Sequence, residues 1–376
     1  MPEEAFFAVT LAVALCVAYN FISGFQDPVS SIATSIATRA LAIPAALLLL
    51  STMSFVGAMV SHKVAYTVAT GVAAPDIVGP YVIIAATSAA IGWNIFMWRL
   101  GLPSSASHAL IAGLFGAAMM KAMIAGGGYG SINWPMLGKI FAALLTSPFF
   151  GFVAGYVIFK VAVRLVYALG APVSTQLWNR FFARLQPLSA AAMSFSIGVN
   201  DAQKTMGLIT LALLHGGMIG KFETPLWVTV ICGAAMSLGA LAGGVRIIKT
   251  VAAKITQMRP VHGFSAELGS ATVVLGASLI GMPISTTHVA ISSVVGVGSS
   301  RTTGAVQVGV VKKIIYAWVT TIPASILMAA IFYLLLFIAG PKMFALVLAL
   351  GSLATGALRG GAGTWVSLWF RAQPRP

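Results

Sequence analysis

Three acidic side chains, Asp27, Asp201 and Glu267, fall within or against long apolar stretches of a sequence that has seven acidic residues in all. A carboxylate in apolar membrane surroundings costs about 3 kcal/mol or more unless it is paired or hydrated, so each marks a candidate site by default. Asp27 precedes Pro28, a residue suited to the first helical position, which also predicts a capping role for it. Two further segments carry chemistry of another kind. Gly101-Leu102-Pro103-Ser104-Ser105-Ala106-Ser107-His108 and Gly281-Met282-Pro283-Ile284-Ser285-Thr286-Thr287-His288 each set a helix breaker ahead of hydroxyl residues. A helix starting there turns unpaired N–H groups and its positive dipole end toward whatever lies in front. The hydroxyls of Ser104, Ser105, Ser107, Ser285, Thr286 and Thr287 add donors at the same place, an arrangement suited to a small tetrahedral oxyanion.

Carboxylates and a bound anion repel each other strongly where water is scarce. Cations must therefore arrive with the anion, and coupled transport is the economical expectation. Lys204, three residues after Asp201, is expected to neutralise that carboxylate or to touch the anion. His108 and His288 are candidates for proton transfer, but the ordinary role of a histidine on an apolar face is packing and hydrogen bonding. Cys16 and Cys232 lie in apolar segments and read as packing residues, and no Cys-x-x-Cys or His-x-x-His spacing suggests a metal. Nothing in the chain resembles a catalytic nucleophile motif, so neither an enzyme nor a cofactor is expected.

The elements that must position these residues follow from composition. Of 376 residues, 59% are hydrophobic and 8% charged, with a mean hydropathy of +0.97. A soluble domain carries about 25% charged residues. Apolar runs lie near 5–22, 43–60, 77–100, 105–125, 137–169, 188–214, 225–245, 268–298, 308–340 and 342–357. The chain has room for roughly ten to twelve membrane segments, so an all-α polytopic membrane protein is predicted. The first run lacks a basic leader, since it opens Met1-Pro2-Glu3-Glu4, and is read as a membrane segment rather than a cleaved signal. The net charge of +15 comes from residues scattered at segment ends, which set orientation rather than bind nucleic acid. Arg164, Arg180 and Arg184 place the central polar stretch on the cytoplasmic side, and Arg246, Lys249, Lys254 and Arg259 form a second such cluster. The tail residues Arg359, Arg371 and Arg375 leave the side of the C-terminus open. Asp76 and Glu223 belong to solvated loops.

The chain also repeats itself. Ser23-Gly24-Phe25-Gln26-Asp27 faces Ile197-Gly198-Val199-Asn200-Asp201, and the two Gly-x-Pro-x-Ser-x-x-His segments match in four positions. Lys139-Ile140 with Thr146 and Pro148 pairs with Lys313-Ile314 with Thr320 and Pro323. Two homologous halves are predicted, residues 1–169 and 189–376, joined by a basic linker over 170–188. Halves with an odd number of crossings insert in opposite senses and bring their motifs together near the midplane, with a parallel repeat as the alternative.

At these residues the chain resembles the inorganic phosphate transporter (PiT) family over nearly its whole length. Gly198 to Gly207 is similar to the second-half signature of bacterial members, and Gly281 to His288 to their Gly-x-Pro-Val-Ser-Thr-Thr-His motif. Gly24-Phe25-Gln26-Asp27-Pro28 resembles the first-half signature, with Gln26 where His or Asn is usual, Pro28 where Ala is common and Ser30 where an Asn is expected. The resemblance implies inverted repeats with re-entrant helical hairpins. It also implies phosphate held by Asp27, Asp201 and the hairpin-tip residues Ser104, Ser105, Ser107, Ser285, Thr286 and Thr287. Coupling cations, H+ or Na+, are assigned to Gln26, Asp27, Asn200, Asp201 and Glu267, with protons expected for a bacterial member. Further implications are a multi-pass protein of the bacterial cytoplasmic membrane, phosphate carried alone or as a neutral metal complex, and a homodimer. Sulfate is the alternative substrate, since some relatives carry it. Phosphate is preferred because it keeps a P–OH proton to donate to a carboxylate at neutral pH and sulfate has none. An uncoupled anion channel is a second alternative, against which the carboxylates and the duplication argue.

Overall fold

The apolar runs fold as helices whose ends fall at glycines and prolines. Pro44, Pro80 and Pro260 stand in the first turn of their helices, where the missing N–H costs nothing. The computed structural model describes residues 2–27, 29–126, 128–168, 175–242, 258–300 and 306–357. The first half contributes α1 (Glu3–Gln26), α2 (Val29–Ala37), α3 (Ile43–Ala58), α4 (Lys63–Gly71), α5 (Pro80–Leu100), α6 (Ala106–Ile124) and α7 (Trp134–Ala168). The second contributes α8 (Thr175–Ile197), which runs through a π-helical turn (Gly198–Ala202) into α9 (Gln203–His215), then α10 (Leu226–Ala242), α11 (Pro260–Leu279), α12 (Thr286–Ser299) and α13 (Val308–Ala357). No strand occurs among the described residues beyond an isolated bridge from Ala73 to Ile132.

Several segment expectations change. The run at 268–298 is two helices, α11 and α12, broken at 280–285 just as α5 and α6 are broken at 101–105. Both breaks open on a glycine in the left-handed region, Gly101 (φ 68) and Gly281 (φ 76), where a Cβ would be strained. The run at 137–169 falls on one 35-residue helix, Trp134–Ala168, about 52 Å long at 1.5 Å per residue and so longer than a perpendicular crossing needs. The runs at 308–340 and 342–357 are continuous except at Gly340 (φ 75), which precedes Pro341. Residues 175–188, the described part of the expected linker, are the first half of α8. Among the described residues five helices are long and apolar enough to cross a membrane: α1, α5, α6, α7 and residues 308–346 of α13. The pair α3 and α4, bent by 72°, makes a sixth candidate. Of the other expected segments, α10 is apolar but has 17 residues, while 188–214 and 268–298 are interrupted by the π-helical turn and by the break at 280–285. Pro28, Arg246, Lys249, Lys254, Arg359, Arg371 and Arg375 lie outside the described residues.

The two halves interlock rather than sit side by side. In the first half α1 packs on α10 of the second, and α8 of the second packs on α3 of the first. In the same way α6 lies on α13 and α12 lies on α7. Glycines make these approaches possible, and they do so in matched pairs. Gly24 lies against the backbone carbonyl of Met236 and Gly198 against that of Ser54. Gly116 lies against the carbonyl of Ile326 and Gly296 against that of Phe152. Small residues at such crossings let helix backbones meet where no hydrophobic force drives them together. Gly116→Ala and Gly296→Ala place a Cβ onto backbone atoms and should each destabilise the protein by about 1–3 kcal/mol. Gly138→Ala, which points into open space on α7, should leave the melting temperature of the detergent-purified protein unchanged or slightly raised.

Candidate functional site

Each hydroxyl motif starts its helix in the same way. Ser105 and Ser285 are extended N-cap residues whose side-chain oxygens accept from the amides of His108 and His288, both at 3.2 Å. Ser104, Ser105, Ser107, Ser285, Thr286 and Thr287 are all buried. The rings of His108 and His288 lie 4.5 Å apart between centroids, so the two helix starts are neighbours. His108 Nδ1 bonds the Ser105 hydroxyl at 2.8 Å, and His288 stacks on Trp318 at 3.8 Å. These contacts give both histidines a packing role.

The two aspartates reach the helix starts from other helices. Asp27 follows α1, and its Oδ2 accepts the amide of Ala106 at 3.0 Å, so it caps α6 across the bundle. The first turn of α6 is one that needs such an acceptor. The neighbouring Gln26 donates its amide to Ser104 Oγ at 2.8 Å, and the Thr287 side chain lies beside the Asp27 carboxylate. Asp201 lies in the π-helical turn, a distortion often found at functional sites. Its Oδ2 accepts from Thr286 Oγ1 at 2.7 Å and its Oδ1 from Lys204 Nζ at 2.5 Å. Lys204 also donates to Ser107 Oγ at 2.5 Å and to the carbonyl of Ile284 at 3.1 Å, so one ammonium ties both hairpin tips together. Asn200 donates to Ser278 Oγ at 2.8 Å and to the Met282 carbonyl at 3.4 Å, bracing the second tip.

Glu267 occupies a different cluster. It is 2% exposed, not at an interface with solvent, and four side chains donate to it. Thr34, Ser35 and Gln186 reach Oε1 at 2.5, 2.6 and 3.3 Å, and Ser189 reaches Oε2 at 2.6 Å. These donors come from α2 and α8 rather than from the hairpin tips. Thr34 lies a few residues beyond the first-half signature, but nothing in the sequence joins it, Ser35, Gln186 or Ser189 to Glu267. A second residue that sequence reasoning passed over is Gln203, whose Oε1 accepts the amides of Val64 and Ala65 at 2.9 and 3.3 Å and so caps α4. Asp76 and Glu223 are exposed in loops, as expected. No group of three or more His, Cys, Asp or Glu side chains able to hold a metal occurs among the described residues.

Long apolar helices around a buried polar centre, in which two helix starts face carboxylates from other helices, define a multi-pass membrane transport protein. A model of the phosphate transporter family matches residues 23–329 of the chain. A probable low-affinity inorganic phosphate transporter of Bacillus subtilis is 41% identical over 337 residues, covering 87% of this chain and 97% of that protein. One of Rhizobium meliloti is 40% identical, covering 85% of this chain and 94% of that protein. A solved sodium-dependent phosphate transporter shares the fold with a TM-score of 0.79 at 25% identity, over 88% of this chain and 99% of its own. The chain belongs to the phosphate transporter family, and it is not an enzyme.

The buried pair gives a direct test. Lys204→Met leaves the Asp201 charge buried beside a neutral side chain and should destabilise the protein by about 3–5 kcal/mol. Adding Asp201→Asn should recover much of that loss, a coupling that a double-mutant cycle on melting temperatures measures.

Proposed function

We propose that this protein imports inorganic phosphate across a bacterial cytoplasmic membrane by symport with protons. The observation that carries the reading is the juxtaposition of two helix starts, rich in hydroxyl donors, with the buried carboxylates of Asp27 and Asp201. Helix N-termini and hydroxyls supply the donors that a tetrahedral oxyanion accepts. The carboxylates supply acceptors for the P–OH proton of phosphate, which sulfate lacks. Two unit negative charges about 4 Å apart in a partly screened interior repel by roughly 4 kcal/mol. A proton taken up by Asp27 removes that repulsion while the anion is bound. Protons suit these sites because a buried carboxylate takes one up without the shell of oxygen ligands that a metal cation needs. Glu267, with four donors already aimed at its oxygens, is assigned as a second coupling position. A neutral metal phosphate complex meets the same charge constraint and is included as a transported form. Names of relatives support phosphate as cargo, and the sodium-dependent relative makes the coupling ion the point to test. Alternating access follows from movement of one group of helices against another around the site.

Reconstituted vesicles with the proton and sodium gradients set independently decide the matter. An inward proton gradient without sodium should drive accumulation of labelled phosphate, uptake should rise as the outside pH falls, and an uncoupler should stop it. Arsenate in excess should compete and sulfate should not. Uptake that follows sodium alone overturns the coupling assignment, and displacement by sulfate overturns the substrate. Asp27→Asn should reduce accumulation to background with normal membrane insertion.

A further inference from the structure

The position of Lys204 carries more than charge neutralisation. Its side chain is 1% exposed, and its ammonium has three acceptors of three kinds: the Asp201 carboxylate, the Ser107 hydroxyl and the Ile284 carbonyl, at 2.5, 2.5 and 3.1 Å. They come from three elements, the π-helical turn, the first turn of α6 and the segment leading into α12. An ammonium has three N–H donors and no acceptor, so this set of oxygens matches its valence fully. A carboxylate, a hydroxyl and a carbonyl converging on one point are also the oxygen donors that hard cations select. Asp201 Oδ2 is held separately by Thr286, which fixes the carboxylate toward that point. The three-residue spacing of Asp201 and Lys204 keeps the two side chains on one helix face, so the cation is supplied by the same segment as its main ligand.

We infer that the Lys204 ammonium is a tethered cation filling a position that a free monovalent ion would otherwise take between Asp201, Ser107 and Ile284. A tethered charge holds the two hairpin tips together but cannot cross the membrane as cargo. The second-half motif therefore contributes no transported cation, and it is closed to sodium and potassium. This last consequence for coupling rests on the transport reading above, whereas the site itself does not.

The experiment needs no phosphate. Lys204→Ala removes the ammonium and leaves room for an ion, whereas Lys204→Met fills the space with a neutral chain of similar length. Melting temperatures of the three purified proteins are compared in sodium, potassium or lithium chloride against equimolar N-methylglucamine chloride. Lys204→Ala should gain about 3–6 °C in at least one alkali cation at saturating concentration, while wild type and Lys204→Met should change by less than about 1 °C. Uptake by membrane vesicles carrying Lys204→Ala should in turn become dependent on that cation. A Lys204→Ala protein that responds to no cation more than Lys204→Met does overturns the inference. So does one that cannot be recovered in any of these salts, because a free ion has then failed to replace the ammonium. If wild-type vesicles take up no phosphate, the transport reading fails, yet the melting comparison still decides the cation site.

Discussion

A carboxylate shut away from water must find donors or a cation inside the protein, and here that requirement fixes which helices meet. Asp27, Asp201 and Glu267 are 2%, 4% and 2% exposed, so none can rely on solvent. Each is met by protein groups: an amide of α6 for Asp27, the nearby Lys204 and the distant Thr286 for Asp201, and side chains of α2 and α8 for Glu267. Removing a donor from such a group leaves a desolvated acceptor, which costs more than the bond it made. The acids thus act as fixed points around which the broken helices are assembled, and Lys204 binds the two hairpin tips to one of them.

The glycine crossings determine what surrounds those fixed points. Gly24 and Gly198 stand three residues before Asp27 and Asp201, and each presses its own helix onto a helix of the other half. The aspartates are therefore presented by crossings of α1 with α10 and of α8 with α3, while the helix starts belong to the crossings of α6 with α13 and α12 with α7. The polar centre lies where these two groups of helices meet. Bonds such as Asp27 to Ala106 and Lys204 to Ser107 span that boundary, so a shift of one group against the other would have to break or stretch them.

Local chemistry explains what the sequence could reveal. The helix breaks at Gly101 and Gly281, the hydroxyl caps and the Asp201 to Lys204 pair all depend on neighbours within a few residues, and repetition made the two motifs stand out. Contacts set by tertiary packing left no such trace. Lys204 and Ser107 are 97 residues apart and Glu267 and Ser189 are 78 apart, and a serine in an apolar run looks the same whether it packs or bonds a carboxylate. Segment boundaries were less legible for a related reason. Hydropathy measures fitness for lipid, whereas α8, α9, α11 and α12 carry many polar side chains directed into the protein. The π-helical turn at Gly198–Ala202 was not anticipated from the sequence.

The charges of the two signature aspartates are met in different ways. Asp201 has both oxygens bound by side chains, one of them an ammonium, so its charge is balanced from within its own motif. Asp27 instead holds a backbone amide at the start of α6, the kind of donor that an oxyanion at that helix start would also seek. An oxyanion bound at that helix start, as in the transport reading, would compete with Asp27 for the Ala106 amide, and protonation of Asp27 would weaken its hold on that amide without abolishing it. The two motifs thus differ in their surroundings: Lys204 bonds Asp201 and both hairpin tips, whereas the Asp27 carboxylate bonds the amide that opens α6.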